Sequence, residues 1–224
     1  MKKNIIIPIA VLLMSTPLFS QKIHTKIATK ICKCLEKEKA TTEEGLNSCF
    51  ERTLMSNLDG LYKHYDAKTI DEIDMDEAGG IIGAHLAKNC DYILDVFSDE
   101  AGKESGFIES EEDLTCLDVH QGEYYYINEV KELNVKDTTY LTITDTMYLE
   151  RMRGGKTYSR LQIEWTSDCD FKLTFKDSND PLKKALSEPG DIYTYEIIKK
   201  TPASIIVETF FRKKKYQVEF FKIK

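Results

Sequence analysis

Leu161-Gln-Ile-Glu-Trp165 and Phe171-Lys-Leu-Thr-Phe175, joined by Thr166-Ser-Asp-Cys-Asp170, decide the fold of this chain. In each run apolar residues alternate with polar ones. A strand with one buried face needs that period of two, whereas a helix buries every third or fourth residue. The turn-forming residues between the runs make them a hairpin. The same alternation spreads outward, through Tyr124 and Tyr126 and through Leu141 and Ile143 on one side. On the other side follow Tyr193, Tyr195 and Ile197, then Ile205, Val207 and Phe211, then Tyr216, Val218 and Phe220. Gly154-Gly155 separates two further runs and supplies the positive φ of a tight hairpin turn. The one long break, Asp177 to Gly190 with Pro181 and Pro189, has a centre, Leu182 to Leu186, that suits a helical turn. Seven to nine short strands with near-neighbour turns predict an antiparallel β meander over 114–224. We expect it closed or half closed into a lipocalin-like barrel, because closure removes exposed edges.

Upstream the period becomes helical, so the fold class is α+β. Ile23, Ile27, Ile31, Cys34 and Leu35 form one stripe with lysines opposite. Thr41 with Glu44 reads as a capping box before Leu46, Cys49, Phe50, Leu54, Leu58 and Leu61. Asp74 with Glu77 starts a third stripe, Ala78, Ile81, Ile82, Leu86, Cys90, Ile93, Leu94 and Phe97. Three helices in 21–97 make a small core, the size at which disulfides become worthwhile. Residues 98–113, rich in Ser, Gly, Asp and Glu, read as a linker.

The first 20 residues read as a cleavable signal peptide. Lys2 and Lys3 precede an apolar run from Ile5 to Met14, and Ser15, Thr16, Pro17 and Ser20 follow. The run is too short to span a bilayer, no cysteine stands near the junction to carry a lipid, and no later segment has transmembrane length. Export to a periplasm or the extracellular space is therefore expected. Without Lys2 and Lys3 the chain has 29 basic against 38 acidic residues, a net of −9. Residues 21–113 carry −10 of it and 114–224 carry +1. Such a surface repels phosphate backbones, so nucleic acid is not an expected partner. The basic run Arg212 to Lys215, set between two strands, reads as an exposed hairpin tip.

Six cysteines in an exported chain favour disulfides. If bridges stay within their own half of the chain, Cys116 pairs with Cys169, and three pairings remain for Cys32, Cys34, Cys49 and Cys90. Two positions apart on one helix, Cys32 and Cys34 point to opposite flanks and need different partners. An up-down-up arrangement favours Cys32–Cys49 with Cys34–Cys90 over the crossed alternative.

Cys116-Leu-Asp-Val-His120-Gln-Gly122-Glu-Tyr124, followed by Trp165-Thr-Ser-Asp-Cys169-Asp-Phe171-Lys-Leu173, resembles small secreted β proteins of Bacteroidota. In these a Cys precedes a Gly-x-aromatic strand start, and a Trp-x-x-x-Cys-x-aromatic-x-Leu strand pair comes later. The Ser20-Gln21 junction is similar to export signals of that phylum. The resemblance spans 114–224, leaves out the helical four-Cys part, and implies a compact β domain of uncharacterised function with no active site to carry over.

No catalytic constellation stands out. A nucleophilic triad needs Ser or Cys beside a carboxylate-oriented His. Only His120 lies in the β part, and its place beside Gly122 reads as a strand edge. Cys-x-Cys with His85 and Cys90 matches no common zinc spacing. In Asp71, Glu72, Asp74, Asp76 and Glu77, Ala78 and His85 fall where a calcium loop needs oxygen ligands, so a helix N-terminus is the simpler explanation. No metal and no cofactor are expected. Trp165, Phe171, Phe175, Tyr193, Tyr195, Phe211 and Phe220 face inward, either as a packed core or as the lining of a cavity for a small hydrophobic ligand. The leading expectation is a non-enzymatic envelope protein binding a small apolar ligand or a protein partner through its β domain. The alternatives are a hydrolase-like enzyme with its site at the barrel mouth or domain interface, and an interaction protein docking through its helical unit.

Overall fold

A computed structural model describes residues 22–96, 107–130, 135–212 and 214–223. The expected signal peptide, 1–20, lies outside the described residues. Four helices come first: α1 (Lys22–Glu38), α2 (Glu43–Met55), α3 (Leu58–Tyr65) and α4 (Met75–Asn89). Helical residues 91–96 follow. The second expected helix is thus two. Asn57 breaks it, its amide donating to Thr53 O at 2.7 Å while its side-chain oxygen accepts from Lys30 Nζ at 2.8 Å. A side chain that competes for backbone partners ends a helix where an apolar stripe alone predicts continuation. The cap of α2 is Thr42, one residue past the expected Thr41, and its hydroxyl accepts from Gly45 N–H. Asp74 caps α4 as expected, accepting from Glu77 N–H at 2.9 Å. The third stripe is broken at Cys90, which is extended (φ −118, ψ 99), and its last member, Phe97, lies outside the described residues.

Cys32 is bonded to Cys90 and Cys34 to Cys49, the crossed alternative to the favoured pairing. The two cysteines of α1 do face opposite flanks. However, α1 lies between α4 and α2 with the Cys32 flank toward α4, a rotation that the stripe of isoleucines does not fix. Ile27, Ile31, Leu35, Cys49 and Leu61 are completely buried in this core.

The second half is a closed barrel of eight antiparallel strands in chain order. They are β1 (Gly122–Val130), β2 (Val135–Ile143), β3 (Met147–Met152), β4 (Thr157–Trp165), β5 (Asp170–Ser178), β6 (Ile192–Lys200), β7 (Ser204–Phe211) and β8 (Lys214–Lys222). Closure comes from β1 on β8, Tyr124 against Lys222 and Tyr125 against Phe221. Arg153–Gly155 makes the turn between β3 and β4, with Gly154 at φ 65 and Gly155 at φ 85. A short helix, α5 (Pro181–Leu186), lies between β5 and β6. Inward side chains form one apolar core, with Leu141, Leu173 and Ile197 each contributing on the order of 2 kcal/mol by burial. Outward positions such as Arg160, Gln162 and Glu164 on β4 are exposed. On β4 this is the reverse of a lipid-facing wall, whose apolar side chains point outward.

Cys116–Cys169 ties the lead-in of β1 to the turn before β5. Of the expected linker, the described residues 107–113 include a stretch bound to the barrel wall. Glu111 N–H donates to Ile198 O, and the backbone of Ile108 exchanges two 2.9 Å hydrogen bonds with the Gln217 side chain. The basic hairpin tip is docked, contrary to its reading as exposed. Arg212 donates to Ala87 O and pairs with Asp91, and Lys214 pairs with Asp95 at 3.2 Å. Charge explains this: the acidic helical half offers carboxylates to the only basic run of the barrel half. Gly80 of α4 also lies against Leu182 of α5, so the helices sit over the end of the barrel that α5 covers.

Candidate functional site

The barrel has two unlike ends. One carries Cys116–Cys169, His120 and Trp165, and the other carries α5. This second end holds the polar interior. The sequence builds α5 from Asp180, whose Oδ1 accepts from the N–H groups of Leu182 and Lys183, and from Pro181 in the first turn. Asp180 is itself buried and faces Arg153 Nε at 3.4 Å. Leu182 then meets α4, Ala185 is buried, and Lys183 reaches into the barrel.

Lys183 Nζ lies 2.6 Å from Oε2 of Glu150, an inward residue of β3 that is 6% exposed. The other carboxylate oxygen accepts from the Tyr126 hydroxyl at 2.9 Å. Burial pulls the Lys183 ammonium down, but the charge and hydrogen bond of Glu150, together with Tyr126 and Tyr195, outweigh it, and the net shift is upward. Lys183 is therefore a held cation. Burial, then the Glu150 charge, push the phenols of Tyr126, Tyr148 and Tyr195 up, Tyr195 to about 12. These phenols are held protonated. The arrangement is a set of fixed charges and dipoles; it offers neither a neutral amine nucleophile nor a phenolate base.

Beside the pair is a cavity of about 180 Å³. Tyr148, Leu161, Leu173 and Phe175 line its barrel side, and Leu186, Ser187, Tyr193 and Phe211 its α5 side. Ser187 Oγ and Tyr193 Oη lie 2.7 Å apart on this rim. Phe210, 57% exposed, marks where the cavity meets solvent. Ser159 stands in the wall, opposite Glu150 in the β3–β4 ladder. It is 1% exposed, and its Oγ has no hydrogen-bond partner among the described residues.

Of the seven inward aromatics, Phe175, Tyr193, Tyr195 and Phe211 line this cavity. Trp165, Phe171 and Phe220 do not. Phe171 stacks on Tyr195 in the core, and Phe220 packs against Tyr126. Trp165 stacks on His120 at 3.6 Å between centroids at the far end. There His120 Nε2 lies 2.7 Å from Asp168 O, and Asp168 Oδ2 accepts from Cys116 N–H. His120 thus braces the bridge to Cys169, and no hydroxyl or thiol nucleophile adjoins it among the described residues. Glu150, Lys183 and Ser159 went unnoticed in the sequence. Their one signal is Tyr148-Leu-Glu150-Arg-Met152, where a carboxylate occupies an inward position between two apolar ones.

Two carboxylate–sulfur groupings, Cys32 with Glu36 and Cys90, and Cys34 with Glu38 and Cys49, fall within ligand distance of one another. Their sulfurs are spent in disulfides, so neither offers a thiolate. Larger depressions exist, about 430 Å³ between α1 and α4 and about 280 Å³ at the β5–β6 surface. Neither contains a buried polar atom lacking a partner. Comparison with protein families, with curated proteins and with solved structures finds no match.

Proposed function

We propose that this is an exported, non-enzymatic envelope protein, periplasmic or extracellular, that binds a small and mainly apolar ligand in the cavity beneath α5. The use of the barrel is lipocalin-like. One observation carries the reading: aromatic rings line a space at the end of the barrel, and its wall holds a buried hydroxyl, that of Ser159, with no partner among the described residues. Small-molecule sites are apolar concavities with a few placed polar groups, which describes this space. Its volume suits a single ring, since a dry cavity of about 150 Å³ admits benzene. Three disulfides and the charged outer face fit a protein working in an oxidising aqueous compartment.

The test is fluorine NMR of the disulfide-intact protein with fluorobenzene. Saturable binding is expected. Thr209→Phe, which places a ring into the same space, should abolish it with circular dichroism unchanged. Absence of saturable binding to the unaltered protein refutes the reading.

A further inference from the structure

We infer that the ligand is an uncharged molecule of about one ring carrying one hydroxyl or carbonyl group, a phenol- or alcohol-like compound, with Ser159 as the residue that reads that group. The inference rests on the cavity being a binding site. It adds what the site selects.

The charge of the ligand follows from how Glu150 and Lys183 are already used. Each is the other's counter-ion at 2.6 Å, and the remaining Glu150 oxygen is taken by Tyr126. A ligand carboxylate would have to take Lys183 from Glu150, leaving one buried anion unpaired. A ligand ammonium would compete for Glu150 against Lys183. Either course leaves a net charge in a partly enclosed site, which costs more than one hydrogen bond returns.

The polar group follows from Ser159. A serine hydroxyl donates one hydrogen bond and accepts two. This one is 1% exposed, lines the cavity and has no protein partner among the described residues. Its neighbour across the ladder, Glu150, is committed elsewhere. A ligand hydroxyl or carbonyl would complete it, where a bare hydrocarbon leaves it wanting. The space of about 180 Å³ between the walls suits one ring and one small substituent.

The experiment measures dissociation constants by fluorine NMR for fluorobenzene, 4-fluorophenol, 4-fluorobenzoate and 4-fluorobenzylamine on the disulfide-intact chain. The phenol should bind about five- to tenfold tighter than fluorobenzene, the usual yield of one satisfied neutral hydrogen bond. Both charged probes should bind at least tenfold more weakly than the phenol. In Ser159→Ala the ratio of phenol to fluorobenzene should collapse to about one. If fluorobenzene itself does not bind, the cavity reading fails, and this inference with it. If fluorobenzene binds and the phenol binds no better, the cavity stands and the polar-group inference is overturned. Tightest binding by the benzoate overturns the uncharged class. A phenol preference that persists in Ser159→Ala overturns the assignment to Ser159, whose hydroxyl is then served by water. The series on the unaltered protein decides the charge question even if the variant fails to fold.

Discussion

Lys183 Nζ lies 2.6 Å from Glu150 Oε2, so a helix outside the strand ladder is tied to the inner wall of the barrel by an ion pair. Glu150 is 6% exposed, and its partner's side chain keeps 30% of its surface in solvent. A pair this enclosed is costly to break from one side, because the survivor is left as a lone buried charge. Lys183→Met should destabilise the protein by about 3 kcal/mol in urea unfolding. The double variant Glu150→Leu with Lys183→Met should recover most of that loss, giving a large coupling energy in the cycle. No recovery in the double variant would show that the pair is not buried as described.

Alkali should unfold the barrel in a step tied to its own tyrosines. Burial lifts Tyr124 and Tyr195 from 10.0 to about 12, and lifts Tyr126 and Tyr148 as well. Lys183 is raised as well, its burial being outweighed by Glu150, Tyr126 and Tyr195 together. A raised folded pKa means that the folded state keeps protons which the unfolded state has released. Stability is therefore full below about pH 10 and falls as pH climbs. For Tyr124 alone the rise corresponds to about 3 kcal/mol at the top of that window. Followed by tyrosinate absorbance, the buried barrel set should ionise in a sharp step coincident with loss of circular dichroism. A single smooth titration near pH 10 with the fold retained would contradict this.

The barrel was legible in the sequence because Leu161 to Trp165 and Phe171 to Phe175 obey a strict period of two, and one face of each strand is buried. The site was not, for reasons that lie in the same rule. Glu150 occupies an inward position, where alternation treats a charge as an interruption, and Lys183 belongs to a helical turn inside a break. Neither residue signals the other, because 33 positions separate them and only barrel closure and the path of α5 bring them together. Ser159 continues the inward alternation of Leu161 and Ile163, but alternation does not tell whether a serine hydroxyl placed there finds a partner. In the helical part the stripes were readable, but the rotation of α1 between its neighbours was not, and disulfide partners depend on that rotation.

That rotation has a direct chemical test. Lys33 stands between Cys32 and Cys34, so trypsin separates the two cysteines that the pairing question turns on. A non-reducing digest should link Ile31–Lys33 to the peptide beginning at Asn89, and Cys34–Lys37 to Ala40–Arg52. Linkage of Cys32 to Cys49 would restore the favoured sequence reading and rule out the placement of α1. The barrel bridge, whose cysteines are 53 residues apart, should be worth about 4 kcal/mol by loop-closure entropy. The joint Cys116→Ser and Cys169→Ser variant should lose that much in urea.

Three glycines in α4 separate intrinsic helix preference from the docking of α4 on α5. A Cβ added at Gly79 or Gly83 meets nothing within 4 Å, whereas one at Gly80 comes 2.9 Å from Leu182 Cδ1. Ala is favoured over Gly in a helix by about 1 kcal/mol. Gly79→Ala and Gly83→Ala should therefore each stabilise the protein by up to that amount. Gly80→Ala should gain nothing, because Leu182 must move against the helix that carries Lys183. Gly80→Val forces a larger displacement and should also weaken fluorobenzene binding in the cavity below. If all three alanine variants gain equally, α4 does not rest on α5, and the cavity is closed by the barrel strands alone.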